Sequence, residues 1–116
     1  MEWIQLKDEQ ELDTIKALSS SQPILIFKHS TRCSISSTAL NRLERSWKEE
    51  DMKNVKTYYL DQLTFRSVSN KIEEAFGVTH QSPQVLLIKD GKSVYDASHL
   101  SIRYDELVKK SSEVSA

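Results

Sequence analysis

The chain has 116 residues, enough to enclose one hydrophobic core but not two independent ones, so a single domain over 1–116 is expected to carry one site. Its 16 Lys and Arg against 17 Asp and Glu leave a net charge of -1, which gives no global reason to expect nucleic acid or an anionic membrane as a partner. The longest apolar runs, 24–27 and 85–88, are far below the roughly 20 residues of a membrane-spanning helix and read as buried strands.

The first residues carry Glu2, Lys7, Asp8 and Glu9 around a short apolar patch, so no secretory signal is legible and a cytoplasmic location is the expectation. The one cysteine agrees with a reducing compartment, because it cannot build an internal disulfide framework. A free thiol, a metal ligand or an intermolecular disulfide remain open to it.

Trp3, Ile4 and Leu6 suit a short first strand, and Asp8 followed by Glu11 resembles a capping box that opens a helix bearing Leu12, Ile15 and Leu18. Residues 19–23, ending in Pro23, break that helix. The run 24–27 is apolar on both faces and therefore predicts a central strand covered on each side. His29-Ser30-Thr31-Arg32 follows as a polar loop. Ile35, Ala39, Leu40, Leu43 and Trp47 then recur at helical spacing, and Cys33 falls in the first turn of that helix.

A third strand is expected near 57–60. After it, Val68, Ile72, Ala75 and Phe76 mark a helix that Gly77 ends. Residues 85–88, the turn Asp90-Gly91 and a strand near 93–97 form a hairpin, and Tyr104, Leu107 and Val108 belong to a last helix. The tail 111–116 is polar and small and is expected to fray. Alternating strands and helices followed by a hairpin give an α/β chain with a mixed central sheet flanked by helices, in the thioredoxin-like order. Unrelated folds share that layering, so the motifs must discriminate.

A thiolate is the nucleophilic form of cysteine, and an ordinary thiol is only a few per cent ionised at neutral pH. A helix beginning at Cys33 would turn its unpaired N–H groups and dipole toward the sulfur. His29 and Arg32 would add positive charge, and Ser34 and Ser36 hydroxyl donors, so these four are the candidate thiolate-tuning residues around a catalytic Cys33. The spacing Cys33-Ser34-Ile35-Ser36 is a Cys-x-x-Cys motif whose second sulfur is replaced by oxygen. A mixed disulfide on Cys33 must then be resolved by an external thiol. Gln81-Ser82-Pro83-Gln84 stands just before an apolar strand, where a proline removes one ladder donor. A cis Ser82-Pro83 bond there would turn the backbone toward an extended ligand. His29, His80 and His99 have no metal-ligand spacing with Cys33, and no metal site is expected.

The segment from Phe27 to Ser36, together with Ser82-Pro83 and Trp3-Ile4, resembles the monothiol bacilliredoxins of the YtxJ-like type, over nearly the whole chain. That family often has proline after the cysteine, where this chain has Ser34. The resemblance implies a thioredoxin fold with a cis-Pro loop and removal of bacillithiol from protein mixed disulfides. Bacillithiol would be a co-substrate thiol, no cofactor would be tightly bound, and the partners would be bacillithiol and bacillithiolated proteins, with neither nucleic acid nor membrane. It further implies ligand contacts from Lys28, Thr31, Ser82 and Pro83, with Lys28 or Arg32 meeting the malate carboxylates of bacillithiol. Two alternatives stay open at this level: glutathione-type monothiol glutaredoxin chemistry on the same cysteine, and a non-enzymatic thioredoxin-fold binding module. Iron–sulfur carriage is disfavoured, because Ser34-Ile35 stands where those proteins carry Gly-Phe.

Overall fold

In the computed structural model, which describes residues 3–115, six consecutive residues that the solvent does not reach form the central strand. This is β2, Ile24–His29, and it lies between β3 (Lys56–Asp61) and β4 (Gln84–Lys89) in a five-stranded sheet of order β1-β3-β2-β4-β5. Strand β1, Ile4–Gln5, pairs parallel with β3, and β3 pairs parallel with β2. Strand β4 runs antiparallel to β2 and to β5 (Lys92–Ser98). The sheet is therefore mixed, as the hairpin signal requires. Asp90 and Gly91, with φ of 54° and 73°, make a two-residue turn with both residues left-handed, a geometry that follows the twist of the flanking strands.

Side chains of a strand alternate between faces, and on β2 this sorts the protein into two cores. Ile24 and Ile26 pack with Leu12 and Ile15 of α1 (Glu11–Leu18) and with Val68 and Ile72 of α4 (Arg66–Phe76). Leu25 and Phe27 pack on the other face against Ala39 and Leu43 of α2 (Ser34–Ser46), Met52 of α3 (Glu49–Met52) and Leu107 of α5 (Tyr104–Ser115). A 3₁₀ turn, His99–Ser101, joins β5 to the last helix and touches α2. Neither α3 nor the 3₁₀ turn has a sequence signal of its own; both are short elements set by packing.

Several expectations need adjustment. The start of α1 is not a capping box: the Asp8 carboxylate accepts the Gln10 N–H at 2.8 Å, and Glu11 accepts the Lys7 N–H at 3.4 Å, one residue away from the predicted partner. Helix α5 runs through the expected tail as far as Ser115, and Ser111 within it is buried at 3% exposure; Ala116 lies outside the described residues. Ile35, assigned to the buried stripe of α2, is 48% exposed, and Trp47 lies just past that helix as its C-cap. Gly77 closes α4 in the left-handed region at φ 67°, its N–H bonded to the Glu73 carbonyl at 2.9 Å. No helix among the described residues is long and apolar enough to cross a membrane.

Leu86, fully buried in β4, carries much more packing than Gly77, whose absent Cβ would meet nothing within 4 Å and would cost only backbone strain. Leu86→Ala is expected to lower the unfolding free energy by about 2–5 kcal/mol, and Gly77→Ala by about 1 kcal/mol. Urea denaturation at pH 7 measures both, and the reverse ranking would contradict the core assignment.

Candidate active site

The register of the three central strands brings three chain segments to one end of the sheet. His29 of β2 pairs with Asp61 of β3, and Lys28 pairs with Gln84 at the start of β4. The chain leaving β2 toward Cys33 and the chain entering β4 through Ser82-Pro83 therefore meet at this end. Gln84 in turn pairs with Ser98, so the 3₁₀ turn that follows β5 joins them, and the His99 N–H donates to the Pro83 carbonyl at 3.0 Å.

Cys33 is the N-cap of α2, in extended conformation at φ -109° and ψ 118°, and is half-buried. Its carbonyl accepts the Ser37 N–H at 3.1 Å, the first bond of the helix, and its own N–H donates to the Ser30 carbonyl at 3.2 Å. Among the described residues no side chain hydrogen-bonds the sulfur. The N–H groups of the first helical turn lack partners one turn back and open toward the cap position, as expected for a cysteine at a helix start. Thr31, Arg32 and Ser34 surround it on exposed backbone.

Ser36, the residue in place of a second cysteine, is wholly buried. Its hydroxyl accepts the Ser30 N–H at 3.0 Å and lies 2.7 Å from His29 Nδ1. With the imidazole neutral and Nδ1 unprotonated, the hydroxyl accepts from Ser30 and donates to His29, so both of its capacities are used. Ser36 therefore clamps the loop 30–33 from beneath and is not available as a hydroxyl donor to the sulfur. His29 is itself buried at 5% exposure, with Tyr59 at 5.5 Å and Phe27 at 6.1 Å between ring centroids. Burial pulls its pKa below the ordinary 6.5, against the opposing influence of Asp61 and Glu44. Burial thus works against the positive charge expected from His29.

Lys28 departs furthest from expectation. It precedes His29 in a strand, so it points to the opposite face, the side of Ile24, Ile26 and α4. It is fully buried there and cannot meet a ligand at the surface. Its Nζ lies 3.3 Å from Nδ1 of His80, which also stands 3.3 Å from the Ser69 hydroxyl. Burial lowers the Lys28 pKa from 10.5 to about 8, with Glu73 acting the other way. His80, considered from sequence only as a metal ligand, is drawn below 6.5 by burial first and then by the Lys28 charge.

Ser82 and Pro83 lie as expected beside the strand entry, and the Ser82-Pro83 peptide is cis. Pro83 is buried, and Ser82 Oγ is buried without a hydrogen-bond partner among the described residues. Beyond the candidates from sequence, the site rests on Tyr59, Asp61 and Glu44, which surround His29, and on Gln84, whose amide bridges Gln81 N–H at 3.3 Å and Thr79 carbonyl at 3.1 Å. None of these carries a local motif. For Lys28 there was a signal: strict alternation along 24–29 already sets it on the face opposite His29.

Two stability consequences follow from these contacts. Ser36→Ala leaves the buried Ser30 N–H without its acceptor, and an unfolding free energy lower by about 1–3 kcal/mol is expected in urea titration. For Lys28 the sign is set by a folded pKa of about 8 below its unfolded 10.5. Between those values the unfolded chain binds more protons, so stability should rise with pH across that window and be flat below it. Measured against Lys28→Met, which lacks the group, the wild-type protein should gain relative stability from pH 8 to pH 10; a constant difference would show that Lys28 is not held in the buried site described.

Comparison with known proteins agrees with this geometry. Residues 4–107 match the family model described as monothiol bacilliredoxin. A solved structure described as a candidate oxidoreductase with a thioredoxin fold superposes with a TM-score of 0.77 at 25% identity, covering 91% of this chain and 90% of the other. Thioredoxin of Fasciola hepatica superposes at 0.72 with 17% identity over 96% and 98% of the two chains, and the long form of spinach chloroplast thioredoxin f at 0.73 with 12% identity over 99% and 88%. The last two likenesses establish the fold.

Proposed function

The chain belongs to the monothiol bacilliredoxin family and is a thioredoxin-fold thiol oxidoreductase, and from that premise we propose that it removes bacillithiol from protein mixed disulfides in the cytoplasm, with Cys33 as the nucleophile. The observation that carries this reading is the half-buried Cys33 at the N-cap of α2 in a chain with no second cysteine. The thiolate is the form of cysteine that attacks a disulfide sulfur. A buried Ser36 in the resolving position leaves the second half of the cycle to an outside thiol.

In the first step the Cys33 thiolate attacks the bacillithiol sulfur of the mixed disulfide. The bond to the protein sulfur breaks, the client leaves as a thiolate that takes a proton from water, and Cys33 holds bacillithiol as a new disulfide. A second low-molecular-weight thiol, as its thiolate, attacks the bacillithiol sulfur of that adduct and restores Cys33, so the oxidation ends in a small-molecule disulfide. No tightly bound cofactor takes part. Arg32, exposed beside the cysteine, is the residue to meet the malate carboxylates, with Thr31, Ser82 and Pro83 bordering the ligand. Lys28, buried on the opposite face, does not touch the ligand itself. The apolar surfaces of Ile35 and Leu100, 48% and 73% exposed, are suited to the client polypeptide.

Incubating the reduced protein with a bacillithiolated client and following intact mass tests the reading. The expected result is one bacillithiol adduct on Cys33, with client thiol released in equal amount. Cys33→Ala should lose the reaction entirely, and Arg32→Ala should raise KM by about ten-fold, in line with one charge-assisted contact. Client release at an undiminished rate from Cys33→Ala would refute the mechanism. Faster exchange with a glutathionylated client than with the bacillithiolated one would transfer the assignment to glutathione chemistry.

A further inference from the structure

A lysine without solvent exposure inside a central strand is costly, because an ammonium loses its hydration and must find partners within the protein. No step of the exchange chemistry uses this group, yet its side-chain hydrogen-bond partner among the described residues is informative. His80 belongs to the segment 79–83 that leads into Ser82-Pro83 and β4, whereas Lys28 belongs to the strand that leads to Cys33.

The anchors of that segment are few and specific. The His80 N–H donates to the Glu73 carboxylate of α4 at 2.7 Å, and Gln84 holds Gln81 N–H and the Thr79 carbonyl at 3.3 and 3.1 Å. The His99 N–H holds the Pro83 carbonyl from the other side. The His80 ring reaches under the sheet end to Lys28 Nζ and the Ser69 hydroxyl, each at 3.3 Å. Lys28 to His80 is thus the side-chain tie between the strand that delivers the nucleophile and the segment that borders its ligand.

We propose that Lys28 and His80 form a buried latch, a pair of positioning residues through which the ammonium of Lys28 donates to His80 Nδ1 and holds the segment 79–83 where it receives the substrate disulfide beside Cys33. The inference rests on the exchange reaction proposed above for its effect on substrate and on the geometry alone for the latch itself. An ammonium donating to a neutral imidazole is a charge-assisted bond, stronger than one between neutral groups, and it fixes the Nε2–H tautomer of His80.

The charges that act on the pair all come from named neighbours. From α4, Glu73 favours the ammonium, while Arg66 and Lys28 itself both disfavour a charged His80. Helix α1 covers the same face with Glu11 beside Tyr58 and Lys16 over the Phe76 ring. Asp61, at the end of β3, acts on His29 across the sheet. Gln84 on β4 is uncharged. Since the Lys28 pKa stands at about 8, the latch is closed at neutral pH and loses its charge on moderate alkalinisation.

The test combines ring-nitrogen NMR of His80 with exchange kinetics on a bacillithiolated client, using wild type, Lys28→Met and His80→Asn. Wild type should show an unprotonated, hydrogen-bonded Nδ1 at pH 7 whose shift steps near pH 8, and Lys28→Met should show no step there. KM for the client should rise about ten-fold in either variant with kcat within about two-fold, and in wild type alone KM should climb as the pH passes 8. The rate of Cys33 alkylation by iodoacetamide, which needs no segment 79–83, should stay within about two-fold in both variants. His80→Asn leaves β2 untouched, so it decides the kinetic arm should Lys28→Met not fold.

Absence of the NMR step in wild type overturns the latch whatever the kinetics. Unchanged KM in folded variants, or an alkylation rate that falls together with exchange, overturns its positioning role. A wild-type protein that shows the step but exchanges no client sulfur would refute the proposed reaction and leave the latch standing as a tie between the two segments.

Discussion

Strand β2 is excluded from solvent along its whole length, and most of what the protein does follows from that constraint. A strand with neighbours on both edges and helices on both faces has no place for an unpaired polar side chain. Four apolar residues satisfy this at once by dividing between the two cores. Lys28 and His29, at the end where the chain must turn toward Cys33, satisfy it only by finding partners, and each finds one on its own face: Lys28 finds His80 below the sheet, and His29 finds Ser36 above it.

These two polar contacts turn a packing requirement into the framework of the site. Ser36 ties the first turn of α2 to the strand end and to the Ser30 N–H, so the loop bearing Cys33 spans a short gap between fixed points. The substitution of oxygen for the second sulfur of the motif is therefore not merely a deletion of redox capacity. A buried hydroxyl with both an acceptor and a donor role does something that a thiol, a poor hydrogen-bonding group, does less well. The chain gives up internal resolution and gains a tightly held nucleophile loop.

Around this frame the aromatic side chains form a continuous packing path. Trp3 lies 5.9 Å from Phe27, 6.0 Å from Trp47 and 6.5 Å from Tyr59, and Tyr59 lies against His29. The Trp3 indole donates to Glu44 at 3.0 Å, which ties the outermost strand segment to α2. The edge of the sheet and the helix that carries Cys33 are thereby coupled through contacts among large, rigid rings, each worth a fraction of a kcal/mol to about 1.5 kcal/mol beyond simple burial.

The sequence by itself was sufficient for the order of strands and helices, the antiparallel final hairpin, the end of α4 at Gly77 and the placement of Cys33 at a helix start. Each of these depends on periodicity or on the conformational preference of residues close together in the chain. It also carried the resemblance that pointed to a monothiol family. The tertiary structure alone decided what lies across from what. That Lys28 would be buried against a histidine more than fifty positions away, that burial would disfavour the charged form of His29, and that Ser36 would bond Ser30 and His29 instead of facing the sulfur all depend on strand register and on which helix covers which face. The burial of Ser111 in a helix that a polar tail did not announce has the same origin. Local sequence encodes backbone conformation, but the charge and hydrogen bonding of a side chain are set by its surroundings, and those are assembled from segments distant in the chain.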